Sequence, residues 1–357
     1  MSNELEERNM KKEAQIIALA NQKGGVGKTT TCHVLAYGLA DQGCKVLVID
    51  TDPQCNLTES FRLNGDMEGT VYQLFRREKK VEDCICRINA NINLLPGSLS
   101  MAGADMEFSF AGREYLLKEA LEPIKEEYDF ILVDTPPTLG IITINTLAAA
   151  DGIVIPVKAS KYSVQGLSQL LQTIRLVQGY YNKDLAITGV LVTQHEGRSN
   201  IRKGIKAALD KLMDTQGIRV FDSVIRNGVA IEEAQYWQTN PLTERPKASV
   251  TEDYRAFVTE FLQIETRKND SERFYALSAI ASEYGKSEKW LIRFLLQQQF
   301  LKETTDGGYE VEPGLLKDGL VVETADLPDE ELDCYLWTPK GYSFLRQSLS
   351  QQDIFKN

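Results

Sequence analysis

Along the first two thirds of the chain, short apolar runs recur with polar, helix-patterned stretches between them. The runs are IIALAN (16–21), KVLVID (45–50), INLLPG (92–97), DFILVD (129–134), GIVIPV (152–157) and LAITGVLVT (185–193). None alternates polar with apolar, so each predicts a strand covered on both faces, the pattern of a parallel sheet. Helical spacing fills 29–42, 113–127, 164–178, 199–213 and 251–264. Strand and helix in alternation predict a doubly wound α/β domain.

The alternation stops near residue 265. ETRKNDSE (265–272) reads as a polar linker, which divides the chain into residues 1–267 and 268–357. Residues 274–301 are strongly helical around Gly285, and 303–333 carry eleven acidic residues against one lysine, Lys317. No internal repeat or low-complexity tract is visible.

Composition narrows the classes. A length of 357 residues suits one large and one small domain, and an apolar fraction of 43% supports a packed core. The amino-terminal segment MSNELEERNMKKEA is charged throughout, and no apolar run is long enough to span a bilayer, so a cytoplasmic location without membrane contact is expected. Six cysteines, at 32, 44, 55, 84, 86 and 334, form no C-x-x-C pair and imply neither a disulfide framework nor a zinc site. A net charge of −11 excludes bulk coating of nucleic acid but leaves room for a local basic patch.

The richest chemistry lies in NQKGGVGKTT (21–30), between the first strand and the first helix. The usual phosphate loop is G-x-x-x-x-G-K-[ST]. Here Gln22 stands where the first glycine belongs, Gly24 and Gly25 have moved inward, and a second lysine, Lys23, precedes them. Glycines let successive N–H groups, including those of Val26 and Gly27, turn onto phosphate oxygens at a helix N-terminus. Lys28 is then placed for the β and γ phosphates, Thr29 for Mg2+ and Thr30 for the α phosphate.

KGGVGKTT resembles the deviant Walker A signature shared by ParA-type partition ATPases, MinD-type positioning ATPases and nitrogenase iron proteins. The resemblance implies that Lys23 reaches across a dimer to the nucleotide of the other subunit. VLVIDTDPQCN (46–56) is similar to the family's D-x-D-P-Q segment, which implies that Asp52 positions the attacking water and that Asp50 lies near Mg2+. ILVDTPPTLG (131–140) is similar to the second switch, which implies that Asp134 holds a Mg2+-bound water. The resemblance thus implies a catalytic set of Lys23, Lys28 and Asp52, with ATP and Mg2+ as cofactors.

The later segments choose among these branches. DTPPTLG lacks the cysteine of an iron protein, and the end LRQSLSQQDIFKN is short of the basic residues that a MinD-type membrane helix needs. TQHEGRSNIRKGIKAAL (193–209) resembles the partition-protein stretch that contacts DNA through an arginine, Arg198 here. VIRNGVAIEEAQ (224–235) resembles another such segment and assigns a DNA contact to Arg226, although its arginine and asparagine are adjacent. Helical spacing sets Arg202 and Lys206 on the face of Arg198 with Lys203 alongside, a basic stripe on an acidic protein. The expectation is a ParA-type ATPase that dimerises with ATP, binds nonspecific double-stranded DNA and answers to a ParB-type, centromere-binding partner. A MinD-like membrane positioner and a nucleotide-independent transcriptional regulator are the competing readings.

In FYALSAIASEYGKSEKWLIRFLLQQQFL (274–301), Ala281, Gly285 and Leu291 occupy the small, turn and apolar positions of a helix-turn-helix, and ETTDGGYEV could form a wing. With LWTPKG (336–341) this part resembles the phage antirepressor C-terminal (KilAC-type) domain, implying a small winged-helix-like α+β domain.

Overall fold

The computed structural model describes residues 13–62, 69–158, 163–195, 209, 213, 216–272, 277, 280–281, 286–303, 309–318, 320–323 and 335–351. Of the basic stripe, Arg198, Arg202, Lys203 and Lys206 lie outside these residues.

The six apolar runs all become strands of one sheet. They are β1 (Gln15–Leu19), β2 (Val46–Asp50), β4 (Ile92–Leu95), β5 (Phe130–Asp134), β6 (Gly152–Lys158) and β7 (Ala186–His195). Two shorter or more polar strands complete it, β3 (Cys86–Arg87) and β8 (Val220–Arg226), in the order β3-β4-β2-β5-β1-β6-β7-β8. All pairings are parallel except that of β3 with β4. Helices cover both faces, which is why β2 and β5 are buried at every position and read as unbroken apolar runs. The expected doubly wound, mostly parallel α/β sheet is what the chain forms.

The chain leaves β1 toward β2 on one side, while β6 lies on the other. The carboxyl ends around β1 therefore open into a crevice where the strand order reverses, the place at which such sheets take ligands. The helix Lys28–Asp41 runs from this crevice. On it His33 is fully enclosed and meets the rings of Tyr37 and Phe61 edge-on, at 5.2 and 4.7 Å. Burial drives the His33 pKa down to about 3. A histidine kept neutral in the fold gives stability that is fully present above its unfolded pKa near 6.5 and is lost as pH falls toward 3. Urea unfolding at pH 7 and pH 5 should show His33→Leu losing less stability on acidification than the unmodified chain, by roughly 1 kcal/mol per pH unit below 6.

At the far edge, among the described residues, β8 pairs with β7 alone. Its outward amides are taken by a long helix, Ser249–Glu272: Asp222 N and Ser223 N donate to Glu260 at 2.7 and 2.9 Å, and Arg226 N to Asp253 at 3.0 Å. This helix continues through 265–272, so the expected linker is helix instead. With no glycine or proline between 249 and 272, nothing in that polar stretch stops the turn from propagating.

Contacts divide the chain into Met1–Phe261 and Leu262–Asn357. The second unit has its own core, including Leu277, Ala281, Leu291, Leu295 and Trp337. Ser287 caps the helix Glu288–Gln297, its side chain accepting from Trp290 N. A hairpin of β9 (Leu301–Glu303) and β10 (Tyr309–Val311) follows, then a second antiparallel pair, β11 (Val321–Glu323) with β12 (Tyr335–Trp337). Gly285, the expected turn of the helix-turn-helix, lies outside the described residues.

Candidate active site

The loop after β1 turns at Gly25 and Gly27, whose φ values of +67° and +87° are left-handed and suit glycine. Gly27 is also the N-cap of the helix Lys28–Asp41, which has no side-chain cap and no acidic residue in its first turn. Its amides are thus left for an anionic ligand. The two lysines of the loop behave differently: Lys28 is buried, at 6% exposure, and Lys23 is exposed.

Strand register brings the acidic groups together. Asp50 and Asp134 are direct neighbours at the ends of β2 and β5, and Leu19 of β1 is the other neighbour of Asp134. Both aspartates are fully buried, and Asp52 nearly so. Burial, and then the charge of Asp50, pushes the Asp134 pKa well up against the opposing pull of Thr29 and Lys28. Burial likewise lowers Lys28, with Asp134 and Asp52 resisting. Asp50 is pushed up to about 6, again mainly by burial.

Their hydrogen bonds separate their tasks. The Thr29 hydroxyl donates to Asp134 Oδ2 at 2.6 Å, so the loop and the end of β5 are joined directly. Asp50 accepts from Asp52 N at 3.1 Å and, on its other oxygen, from Thr58 N at 2.8 Å and Thr58 Oγ1 at 2.7 Å. It therefore organises the short helix Asn56–Ser60, a role the motif did not announce. Among the described residues Asp52 accepts a local bond from Gln54 N, at 3.0 Å.

A divalent cation suits this arrangement. Among the described residues Asp134 Oδ1 is buried without a hydrogen-bond partner, and the charges of Asp134 and Asp52 act together on Lys28. Among the described residues no group of three or more His, Cys, Asp or Glu side chains forms a metal cage. Mg2+ itself keeps several waters and substrate phosphate oxygens and needs few protein ligands. Thr29 would hold it, with Asp134 behind. Next to Thr29 and Thr30 a cleft of about 520 Å³ is lined by Asn56, Ser60, Gln235 and Tyr236, among others. The Thr30 hydroxyl reaches Gln235 Oε1 at 3.3 Å. No sequence signal pointed to Gln235.

Arg226 is the one predicted DNA contact among the described residues. Its guanidinium is half exposed and forks onto Asp253, Nε to Oδ2 and Nη2 to Oδ1, both at 2.7 Å. The residue assigned to phosphate thus already holds a carboxylate.

An uncapped helix behind a glycine turn, with a buried lysine and a hydroxyl–carboxylate pair at its mouth, puts the chain in the P-loop NTPase class. A family model described as an AAA domain matches residues 14–187. Sporulation initiation inhibitor protein Soj of Bacillus subtilis is 43% identical over 223 residues, 62% of this chain and 87% of that protein. Chromosome partitioning protein ParA of Myxococcus xanthus is 33% identical over 262 residues, 72% of this chain and 92% of that protein. Among solved structures, cobyrinic acid a,c-diamide synthase from Mycobacterium smegmatis with bound ATP analog and magnesium has a TM-score of 0.61 at 30% identity, covering 71% of this chain and 97% of that one. The chain belongs to the ParA/Soj family of partition ATPases, and it is an ATPase that uses ATP and Mg2+.

Proposed function

We propose that this chain segregates DNA: with ATP it pairs with a second copy, the pair binds duplex DNA without sequence preference, and hydrolysis stimulated by a ParB-type, centromere-binding partner releases it. The observation that carries this reading is the division of labour between the two lysines. Lys28 is buried beside Asp134 and Asp52, placed for its own nucleotide, whereas Lys23 stands exposed on the same loop. An exposed lysine adds little to the phosphates of its own loop, but it can neutralise charge developing on those of a facing copy.

Within one protomer the residues divide the work. The Val26, Gly27 and Lys28 amides hold phosphate oxygens, Lys28 neutralises them, and Asp52, with one local acceptor bond, is free to orient water. Mg2+ supplies charge neutralisation at the phosphates. The cleft beside Thr30, Gln235 and Tyr236 takes the nucleoside end.

For DNA, the proposal places phosphate contact on Arg198, Arg202, Lys203 and Lys206, because a salt-sensitive patch is what an acidic protein requires for this task. Arg226 has a smaller part, since any phosphate must share its guanidinium with Asp253. Arg198→Glu is therefore expected to abolish ATP-dependent DNA binding while dimerisation persists. Arg226→Ala should weaken that binding only several-fold. Co-sedimentation with DNA or liposomes, in ATP, ADP or no nucleotide, tests the whole reading. ATP-dependent capture by DNA, steeply weakened by salt and absent with liposomes, is the expected result; capture by liposomes would instead indicate a membrane positioner. The helix–hairpin order of the C-terminal unit supports the winged-helix-like reading, and residues 268–357 are assigned to partner contact rather than to ATP.

A further inference from the structure

A backbone carbonyl of β6 and two side chains of β7 tie down the phosphate loop. At its start Asn21 donates Nδ2–H to Pro156 O on β6 at 2.7 Å and accepts from Lys23 N at 2.9 Å. At its middle the end of β7 takes over: Thr193 Oγ1 donates to Val26 O at 2.7 Å, and Gln194 Nε2 donates to Gly25 O at 2.8 Å. In each peptide plane the C=O and the following N–H point in opposite directions. Holding the Gly25 and Val26 carbonyls toward β7 therefore turns the Val26 and Gly27 amides the other way. Those are the amides offered to phosphate.

Gln194 does this from an unusual backbone. Its φ is 48°, in the left-handed region that non-glycine residues seldom occupy. The β7–β8 register slips between Val192 and His195, so the strand is irregular at Gln194. One residue on, His195 pairs with Arg226 and accepts from Asn227 N at 3.0 Å. The next residues, 196–206, carry Arg198, Arg202, Lys203 and Lys206.

We propose that Gln194 is a positioning residue that couples occupancy of the phosphate loop to the basic segment beginning at residue 196; this rests on the DNA-binding reading above. Phosphates that draw on the Val26 amide fix the Gly25 carbonyl in the same plane. A fixed carbonyl holds the Gln194 side chain, and with it the left-handed turn that sets the direction in which the chain leaves β7. Gln194 touches no substrate and acts only through Gly25.

The test uses the full chain and measures ATP affinity with and without a random-sequence DNA duplex, and DNA affinity with and without ATP. In the unmodified protein DNA should raise ATP affinity by the same factor by which ATP raises DNA affinity, since coupling is reciprocal. Gln194→Glu keeps size but removes the donor and sets a carboxylate against the Gly25 carbonyl. It should lower ATP affinity about tenfold and bring the coupling factor to within about twofold of one, at an unchanged nucleotide-free Tm. Gln194→Gly, which adopts the same φ freely but has no amide, should also lose the coupling. Retention of the unmodified coupling factor in either variant overturns the inference, as does a parallel fall in Tm and both affinities at constant coupling. Absence of coupling or of DNA binding in the unmodified protein removes the DNA-binding reading itself, and this inference with it.

Discussion

Lys28→Ala should reduce ATP affinity by about a thousandfold or more, measured by calorimetry with Mg2+ present. Lys28 is the buried cation at the mouth of the loop, and charge-assisted bonds to phosphate are worth roughly 1.5–3 kcal/mol each. Two such bonds lost amount to about 4 kcal/mol, or three decades. The nucleotide-free protein should change too. Lys28 holds the Asp134 pKa down against burial and the charge of Asp50, so its removal pushes that pKa higher still. A carboxyl raised in the fold costs stability as pH climbs through its folded pKa. With that folded pKa higher still, the variant should go on losing Tm to a higher pH than the unmodified chain does. Near-normal ATP affinity in this variant would place the phosphates elsewhere.

Lys23→Ala makes the contrasting case. Being exposed, Lys23 is expected to contribute little to ATP held on its own loop, so affinity should change no more than a few-fold. Hydrolysis should nevertheless fall by about a hundredfold or more, the scale of losing a cation supplied to phosphoryl transfer from a facing subunit. Mixing experiments separate this from local damage. Lys23→Ala mixed with Asp52→Ala protein should recover part of the activity, because the Asp52→Ala protomer then supplies Lys23 across the dimer to a site that keeps its own Asp52. No recovery, together with an equal fall in ATP affinity, would make Lys23 a ligand of its own nucleotide.

Much of this was legible in the sequence because burial on both faces leaves a strand no polar positions. The six central strands are such runs, and their ends carry Asp50 and Asp134 by register alone. β8 was not legible as a strand: as an edge element it exposes Asp222 and Arg226, and its residues alternate too weakly to separate it from a loop. The helix through 265–272 was hidden for a related reason, since a polar composition resembles a linker unless the lack of glycine and proline is weighed. At the site, the loop spacing announced Gly24, Lys28 and Thr29. Apart from the Thr29–Asp134 pair, which the two motifs had placed at one Mg2+, contacts between residues more than a hundred positions apart were not announced. Thr193 and Gln194 on the loop carbonyls belong to this kind, and so does Gln235 beside Thr30.

The carboxylates on β8 have a consequence for how copies of this chain can meet. An open sheet ends in amides that invite another strand, and crowded proteins join by such edges into unwanted fibres. Glu260 and Asp253 already occupy the amides of Asp222, Ser223 and Arg226, so an incoming strand would have to displace two anions to pair there. The opposite border is β3, two residues long, too short to template anything. Both borders of the sheet are thereby closed to strand addition, and association is left to the surfaces that side chains define.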